Sequence, residues 1–568
     1  MSKVVSTTTP ACHALRVAGL VAALAPAAMS GQSAGQIARS ANGVVVAAQP
    51  LAAAAGTRML ELGGNAADAA VAAAFAIAVV EPSMNSIGGR NQILIRLPNG
   101  EIHGIDGTTS VPLGYDPQTA PRAAYGYATV GVPGVVAGLM RLHEEYGSLP
   151  LADVMAPAID YAERGFRVLP GEARREGGSA RQIAESVGAS RYYLKADGTP
   201  YSTGDLLVQR DMAATFRAIA HGGRDAFYRG VIAETIAADM AENGGFVTLD
   251  ALAAYEAEDS RIVRGSYRGY ELVGSDTPAS GTIAIQALQI AENFDPDEFG
   301  AEAWASVIGQ SIALALGEYM RLGTDSAAVR ATSKEWAARQ AEKITVPAGA
   351  AGPGLALGGA TLPPDHGHTT HLSAADRNGM AVSLTQTLGP GMGSKVATPG
   401  LGFLYAVTLG GYLGISEPGE RARSGITPLM VLRDGELVLV LGAAGGIRII
   451  SAVVQAVTRV IDDGLSLPEA LAAPRVHPNI DPRTGEVSGL SVEAGEDDGW
   501  SPESVARFEE LGVEVAPARF RGAFGRIHGI QYDAESGMWI GAADPDWEGA
   551  AVAPAVDRRR QEGAEKPG

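Results

Sequence analysis

The chain reads as a layered α+β protein. Helical patterns dominate its first half, several of them alanine-rich. The strand patterns of its second half come as hairpins, flanked by helices, and not as strands alternating with crossover helices. That arrangement argues against a doubly wound parallel sheet. With 568 residues, 46% apolar and 19% charged, the chain can bury large cores and has no disordered composition.

The first 34 residues stand apart. Lys3 and Arg16 precede the apolar run "VAGLVAALAPAAM", and small residues follow from Ala28 to Ala34. This resembles a secretory signal peptide, so residues 1–34 are expected to direct export to the periplasm or the medium. No later segment has the length and apolarity of a membrane-spanning helix, since the alanine-rich run after Asn65 is short and contains Asp68.

The remaining elements follow in order. "VVVAAQPLAAAAG" starts as a strand and runs into a helix. "GGNAADAAVAAAFAIAVVEP" is a helix that is apolar on nearly every side and stops before Pro82, so it is expected to be buried all round. "NSIGGRNQILIRLPNGEIHGIDG" gives a hairpin through Asn99–Gly100. Residues 150–345 alternate helices and loops, with hairpin-like pieces near 189–202 and 262–273. A Gly/Ala/Pro-rich linker covers 347–368. Strands are expected at 370–375, 381–387, 428–433 and 437–442, with helices at 446–462 and near 502–511.

Charge and cysteine content exclude whole classes of function. The formal net charge is −19, which leaves no basic surplus to meet the phosphates of a nucleic acid. Cys12 is the single cysteine, so neither an internal disulfide nor a thiolate metal cluster can form.

Thr369 stands where the linker enters a hairpin, in "PPDHGHTTHLSAADRNGMAVSLTQTLG". A threonine hydroxyl needs an adjacent base to act as a nucleophile. Its own α-amine, with a pKa near 8, would serve if the chain broke just before it. A flexible linker ahead of Thr369 suits such a break between His368 and Thr369. By itself the Thr-Thr pair is equally compatible with a polar pair on a strand. His366, His368 and His371, with Asp365 and Asp376 near, also raise a metal-dependent hydrolase, but the spacing lacks a His-Glu-x-x-His pattern.

"TTHLSAADRNGMAVSLTQT" resembles the nucleophile segment of the gamma-glutamyltransferase family of amino-terminal-nucleophile hydrolases. Similar agreement runs through "GGNAADAAVAAAFAIAVVEP", "VGVPGVVAGL", "YRGYELVGSDTPASGTIAIQALQI", "LGAAGGIRII", "EALAAPRVHPNI" and "GAADPDWEGAAV", in family order over nearly all of residues 40–550. The resemblance implies a four-layer αββα sandwich, formed by two associated chains after self-cleavage. Residues 35–368 would form the large subunit and 369–568 the small one. It implies Thr369 as nucleophile, Thr387 as its hydrogen-bonding support, and the backbone N–H groups of Gly445 and Gly446 as the oxyanion hole. It also implies a small acyl-amide or γ-glutamyl substrate, and no metal or organic cofactor.

The chain departs from the family in the residues that grip a glutamyl group. Thr108 falls at the position of the arginine that clamps the substrate carboxylate, and the nearest arginines along the chain are Arg96 and Arg122. Thr408 falls at an amide position, and Gly410 and Gly411 replace two aspartates. Ser424-Gly425 stands for a serine pair, and Gly389 for an asparagine. Arg421, Arg423 or Lys395 are the candidate replacement cations, and Leu404, Tyr405, Val407 and Leu409 would line an apolar pocket if they face inward. The resemblance therefore implies an autoprocessed hydrolase or acyltransferase acting through an acyl-enzyme. An acylase of the cephalosporin or glutaryl type and a non-catalytic binding relative are the alternatives.

Overall fold

The computed structural model describes residues 35–322, 333–345, 368–413, 417–480, 487–495, 499–518 and 524–555. The amino-terminal segment 1–34 and most of the linker lie outside the described residues.

Two sheets stack face to face. From edge to edge, the first runs Ala550–Val552, Gly43–Ala47, His368–Asp376, Ala381–Gly389, Arg90–Arg96, Ile102–Gly107 and Glu258–Asp259. The second runs Ile37–Ser40, Met538–Ala543, Arg526–Asp533, Glu436–Leu441, Leu429–Arg433, Tyr270–Ser275 and Ile262–Tyr267, with Ala443–Ala444 also paired to Arg526–Asp533. A smaller three-stranded sheet, Val476–Ile480, Val487–Glu493 and Val515–Ala518, packs beside them.

Strand alternation divides the core. In the first sheet, Val44, Val46, Leu94 and Ala375 face the second sheet. Their neighbours Val45, Ala47, Ile93, Ile95, Leu372 and Ala374 face helices Pro50–Glu61, Ala66–Val80, Val135–Tyr146, Leu151–Arg164 and Arg210–Tyr228. In the second sheet, Met430, Leu432 and Val440 face inward. Leu429, Val431, Leu439 and Leu441 face helices Gly281–Ala291, Ala301–Leu322, Lys334–Ala341 and Arg448–Ile461. The order is helix, sheet, sheet, helix, the αββα sandwich expected.

Helix Ala66–Val80 is buried along its whole length, as its uniform apolarity requires. Asn65 and Asp68 form a reciprocal capping box at its start. The helix holds the central hairpin at both ends. Ala66 N donates to Asp376 Oδ2 at 3.0 Å, and Gln386 Nε2 donates to Ala74 O at 3.0 Å.

The hairpin expected near 189–202 is instead helix Val187–Tyr193, followed by a single bridge between Leu194 and Pro200. Ser186 caps this helix by accepting from Ala189 N at 3.2 Å. Tertiary packing favours it too, since Gly188 lies flat on the backbone of Ala397. The other hairpins fall where the pattern put them, with the central pair extended to 368–376 and 381–389.

Arg475 and Asp544 join two distant segments in a buried ion pair of 2.7 Å. Arg475 Nη1 also donates to Gly525 O at 2.7 Å and Nη2 to Leu471 O at 2.6 Å. Asp544 Oδ2 accepts from Ile527 N at 3.0 Å. Arg475→Ala strands a buried carboxylate, so a loss of about 3–5 kcal/mol in unfolding free energy is expected. Urea unfolding measures this, with Arg58→Ala at the exposed Arg58–Glu61 pair as the control that should scarcely move the midpoint.

Candidate active site

Thr369 is the second residue of strand His368–Asp376. The pairing with Ala381–Gly389 slips between His368↔Gly389 and Thr370↔Gln386, so Thr387 and Leu388 together oppose the single Thr369. This bulge re-aims the side chains at the strand end. Thr369 Oγ1 donates to Thr387 Oγ1 at 3.1 Å. Thr387 Oγ1 donates in turn to the His368 carbonyl oxygen at 2.5 Å and accepts from Gly389 N at 2.9 Å. A hydroxyl has one proton to give and two lone pairs, and all are used here. The chain of bonds runs from the Thr369 hydroxyl to the carbonyl of the peptide bond before it.

Odd-numbered residues of this hairpin face the second sheet. Ser383 Oγ donates to Leu441 O at 2.8 Å, and Ser373 Oγ to His528 O at 2.9 Å. The His371 ring lies against Gly442, where any Cβ would fall 2.2 Å from a ring atom. His371 meets Thr385 Oγ1 at 2.7 Å and Ser373 Oγ at 3.1 Å. Burial, followed by the neighbouring His528, holds its pKa well below the ordinary imidazole value, so it is neutral. Asp376 caps Ala66 N at the other end of the strand. His366 and Asp365 lie outside the described residues, and among the described residues no group of three or more His, Cys, Asp or Glu is placed to hold a metal ion.

Gly445 and Gly446 form the turn between strand Ala443–Ala444 and helix Arg448–Ile461. Their φ values, 143° and 60°, disfavour any side chain. A Cβ on Gly445 would also lie 2.8 Å from Gly525 Cα, and Gly525 is the residue whose carbonyl Arg475 holds. Gly425 packs on the Gly446 carbonyl, where a Cβ would fall at 2.7 Å. Ser424 is fixed by its N–H to Pro278 O at 2.9 Å and by Ser280 Oγ donating to its carbonyl at 2.8 Å. The structure thus groups Gly445, Gly446, Ser424 and Gly425 on the second sheet. Strand Ala443–Ala444 lies against strand His368–Asp376.

The replacement cations are placed differently from one another. Arg421 is committed to structure. Its guanidinium donates to the carbonyls of Asp106, Thr108 and Glu256, to the Tyr255 hydroxyl at 2.7 Å, and pairs with Glu258 at 2.8 Å. Arg423 is exposed. Lys395 is 9% exposed and donates to Gly393 O at 2.9 Å, and burial lowers its pKa to about 8. Thr108 Oγ1 accepts from Gln92 Nε2 at 3.0 Å, and Thr408 Oγ1 donates to Thr109 Oγ1 at 2.9 Å, both in the buried polar patch beside Arg421.

Leu404, Tyr405, Val407 and Leu409 do not line an open pocket. All are at most 2% exposed. Leu404 packs with Ile183, Tyr192 and Tyr193, and the Tyr405 hydroxyl meets Thr398 at 2.7 Å. The segment is laced down by backbone bonds from Ala406 N to Gly88 O, Val407 N to Leu388 O and Leu409 N to Thr129 O, which turn its side chains into cores. Sequence reasoning missed Arg90, which stands opposite Thr387 in the register. Its charge inside an otherwise polar-to-apolar strand start was the available signal, but only strand pairing reveals what it faces.

A family model described as gamma-glutamyltranspeptidase matches residues 52–554. The chain is 32% identical over 542 residues to the glutathione hydrolase proenzyme of Escherichia coli (strain K12), covering 89% of this chain and 91% of the relative. It is 34% identical over 468 residues to the acylase ACY 1 proenzyme of Pseudomonas sp. (strain SE83), covering 77% and 83%. It also superposes on the crystal structure of cephalosporin acylase from Bacillus halodurans with a TM-score of 0.82 and 26% identity, covering 94% of this chain and 99% of that one. With the family model spanning nearly the whole described chain, the protein is an enzyme that belongs to the gamma-glutamyltranspeptidase family of amino-terminal-nucleophile hydrolases.

Proposed function

We propose that the chain is a self-cleaving amidase that uses Thr369 as nucleophile on acyl-amide bonds, γ-glutamyl or related. The observation that carries this is the bond chain from Thr369 Oγ1 through Thr387 Oγ1 to the His368 carbonyl. It supports an N-to-O acyl shift. Thr369 Oγ bonds to the His368 carbonyl carbon, its proton passes to Thr387 Oγ1, and the Thr387 proton passes to the carbonyl oxygen. Collapse breaks the C–N bond as the proton on the former carbonyl oxygen passes to the nitrogen, which with its own N–H becomes the new α-amine and leaves the His368 ester on Thr369 Oγ. Water then hydrolyses the His368 ester, which restores the Thr369 hydroxyl.

In the processed enzyme the Thr369 α-amine takes the hydroxyl proton as the nucleophile attacks a substrate carbonyl. The leaving amine departs with a proton, and water resolves the acyl-enzyme. Gly445 and Gly446, at a turn that opens a helix, are suited to meet the oxyanion with backbone N–H groups. The proenzyme names of the relatives accord with a precursor that is cut. A cut at 368–369 yields fragments that share both sheets, since strand His368–Asp376 pairs with Gly43–Ala47 and Ala381–Gly389 with Arg90–Arg96. The two fragments stay together as large and small subunits. The signal-peptide pattern of the amino-terminal segment supports export to the periplasm or the medium.

The γ-glutamyl and acylase readings are separated by the amine site. Gly410 and Gly411 offer no carboxylate to a substrate α-amine, which favours an acylase-type donor.

Wild-type protein should run on a denaturing gel as two fragments divided at Thr369, and Thr369→Ala as one uncut chain. Thr387→Val should process at least about 100-fold more slowly, since both relay bonds are lost. An intact wild-type chain with full amidase activity would sink the assignment. On a donor panel, γ-glutamyl 4-nitroanilide should not exceed glutaryl 4-nitroanilide by more than about tenfold in kcat/KM. A charge-assisted bond to the amine would contribute about 1.5–3 kcal/mol, and Gly410 and Gly411 provide none. A larger γ-glutamyl lead would show the amine held by another group.

A further inference from the structure

Arg90 opens strand Arg90–Arg96 and is the direct partner of Thr387 in the sheet. Opposed residues of an antiparallel pair share a face. Arg90 therefore projects on the face that carries Thr387 and Thr369. Its side chain is 1% exposed. Nη1 donates to Val407 O at 3.0 Å, and Nε is buried without a partner.

No carboxylate among the described residues pairs with this guanidinium. Three other arginines near the core do have one. Arg175 pairs with Glu172 at 2.6 Å, Arg475 with Asp544 at 2.7 Å and Arg421 with Glu258 at 2.8 Å. A buried cation without its counter-charge is unfavourable, and an anion supplied from outside relieves it.

Gly389 makes the room. A Cβ built there would lie 3.2 Å from Arg90 Nη2 and 3.1 Å from Tyr412 Cε1. Its φ of 88° also disfavours a side chain. The same residue donates its N–H to Thr387 Oγ1 at 2.9 Å. The guanidinium, the half-exposed Tyr412 ring and the nucleophile's threonine partner thus surround one glycine.

Thr369, Thr387 and Arg90 lie in one row across three neighbouring strands. At about 4.8 Å per strand, the outer two backbones are about 10 Å apart, within reach of a short diacid chain and an arginine side chain together.

We infer that Arg90 is the carboxylate-binding residue of the acyl site: it receives the distal carboxylate of a short dicarboxylic acyl group whose amide carbonyl meets Thr369. This rests on the amidase reading above and adds the specificity of its acyl site. Arg90 is a specificity residue supplied by a strand, in a chain whose loop position 108 is threonine. Lys395, a buried cation bonded to Gly393 O within its own loop, serves as the comparison.

The test compares glutaryl and pentanoyl 4-nitroanilides, which differ in the distal carboxylate. In Arg90→Met, the glutaryl-to-pentanoyl ratio of kcat/KM should fall by about 30-fold or more, and Arg90→Lys should restore part of it. In Lys395→Met the ratio should move by less than about threefold. An unchanged ratio in Arg90→Met, or a collapse in Lys395→Met, overturns the assignment.

Self-cleavage on a denaturing gel reports whether each variant has folded. Should Arg90→Met stay uncut, calorimetry on processed wild-type protein decides. Glutarate should bind at least about tenfold more tightly than pentanoate, and equal affinities overturn the assignment. The amidase reading is tested separately, because it fails only if no anilide turnover depends on Thr369.

Discussion

The structure depends on one hairpin being buried on both faces. Strands His368–Asp376 and Ala381–Gly389 sit in the middle of the first sheet, between Gly43–Ala47 and Arg90–Arg96. One face packs on helix Ala66–Val80 and the other on the second sheet. The buried hydroxyls facing the second sheet therefore depend on partners inside the protein. Thr385, Ser373 and Ser383 find them in His371, His528 and Leu441. At the strand end the same requirement joins Thr369, Thr387, the His368 carbonyl and Gly389 N into one closed set of bonds.

That closure has a chemical consequence. The bonds that satisfy a buried hydroxyl pair also connect the Thr369 hydroxyl to the carbonyl beside it, so the proposed self-cleavage would need little rearrangement of the precursor. The two sheets that build the site come close where the His371 ring lies directly over Gly442, with no room for a Cβ there. Behind the glycine turn, Arg475 joins Asp544 to the Gly525 carbonyl, and Gly525 backs Gly445. A buried ion pair far from Thr369 in sequence thereby backs the turn proposed to meet the oxyanion.

Charge is distributed unevenly around this centre. Arg421 is occupied by five oxygen partners and the Glu258 carboxylate among them, so it serves the loop after strand Ile102–Gly107. Arg90 has the opposite character, with the Val407 carbonyl as its hydrogen-bond acceptor and a position in the row of Thr387 and Thr369. Between these two arginines, the one with unfilled hydrogen-bonding capacity is the one suited to an incoming anion.

The sequence by itself determined the layered α+β class, the hairpins at 90–107, 262–275 and 368–389, the buried helix after Asn65, and the place of Thr369 where the linker enters the central hairpin. Those features are local. They follow from periodicity, from turn residues and from contiguous motifs that survive in one segment. Tertiary structure decided the rest, because the deciding contacts join residues remote in the chain. Ser186 and the close approach of Gly188 to Ala397 made a helix of Val187–Tyr193, where the pattern gave a hairpin. Backbone bonds to Gly88, Leu388 and Thr129 turned Leu404, Tyr405, Val407 and Leu409 into cores. Strand register alone set Arg90 opposite Thr387, since their separation along the chain carries no trace of a shared face.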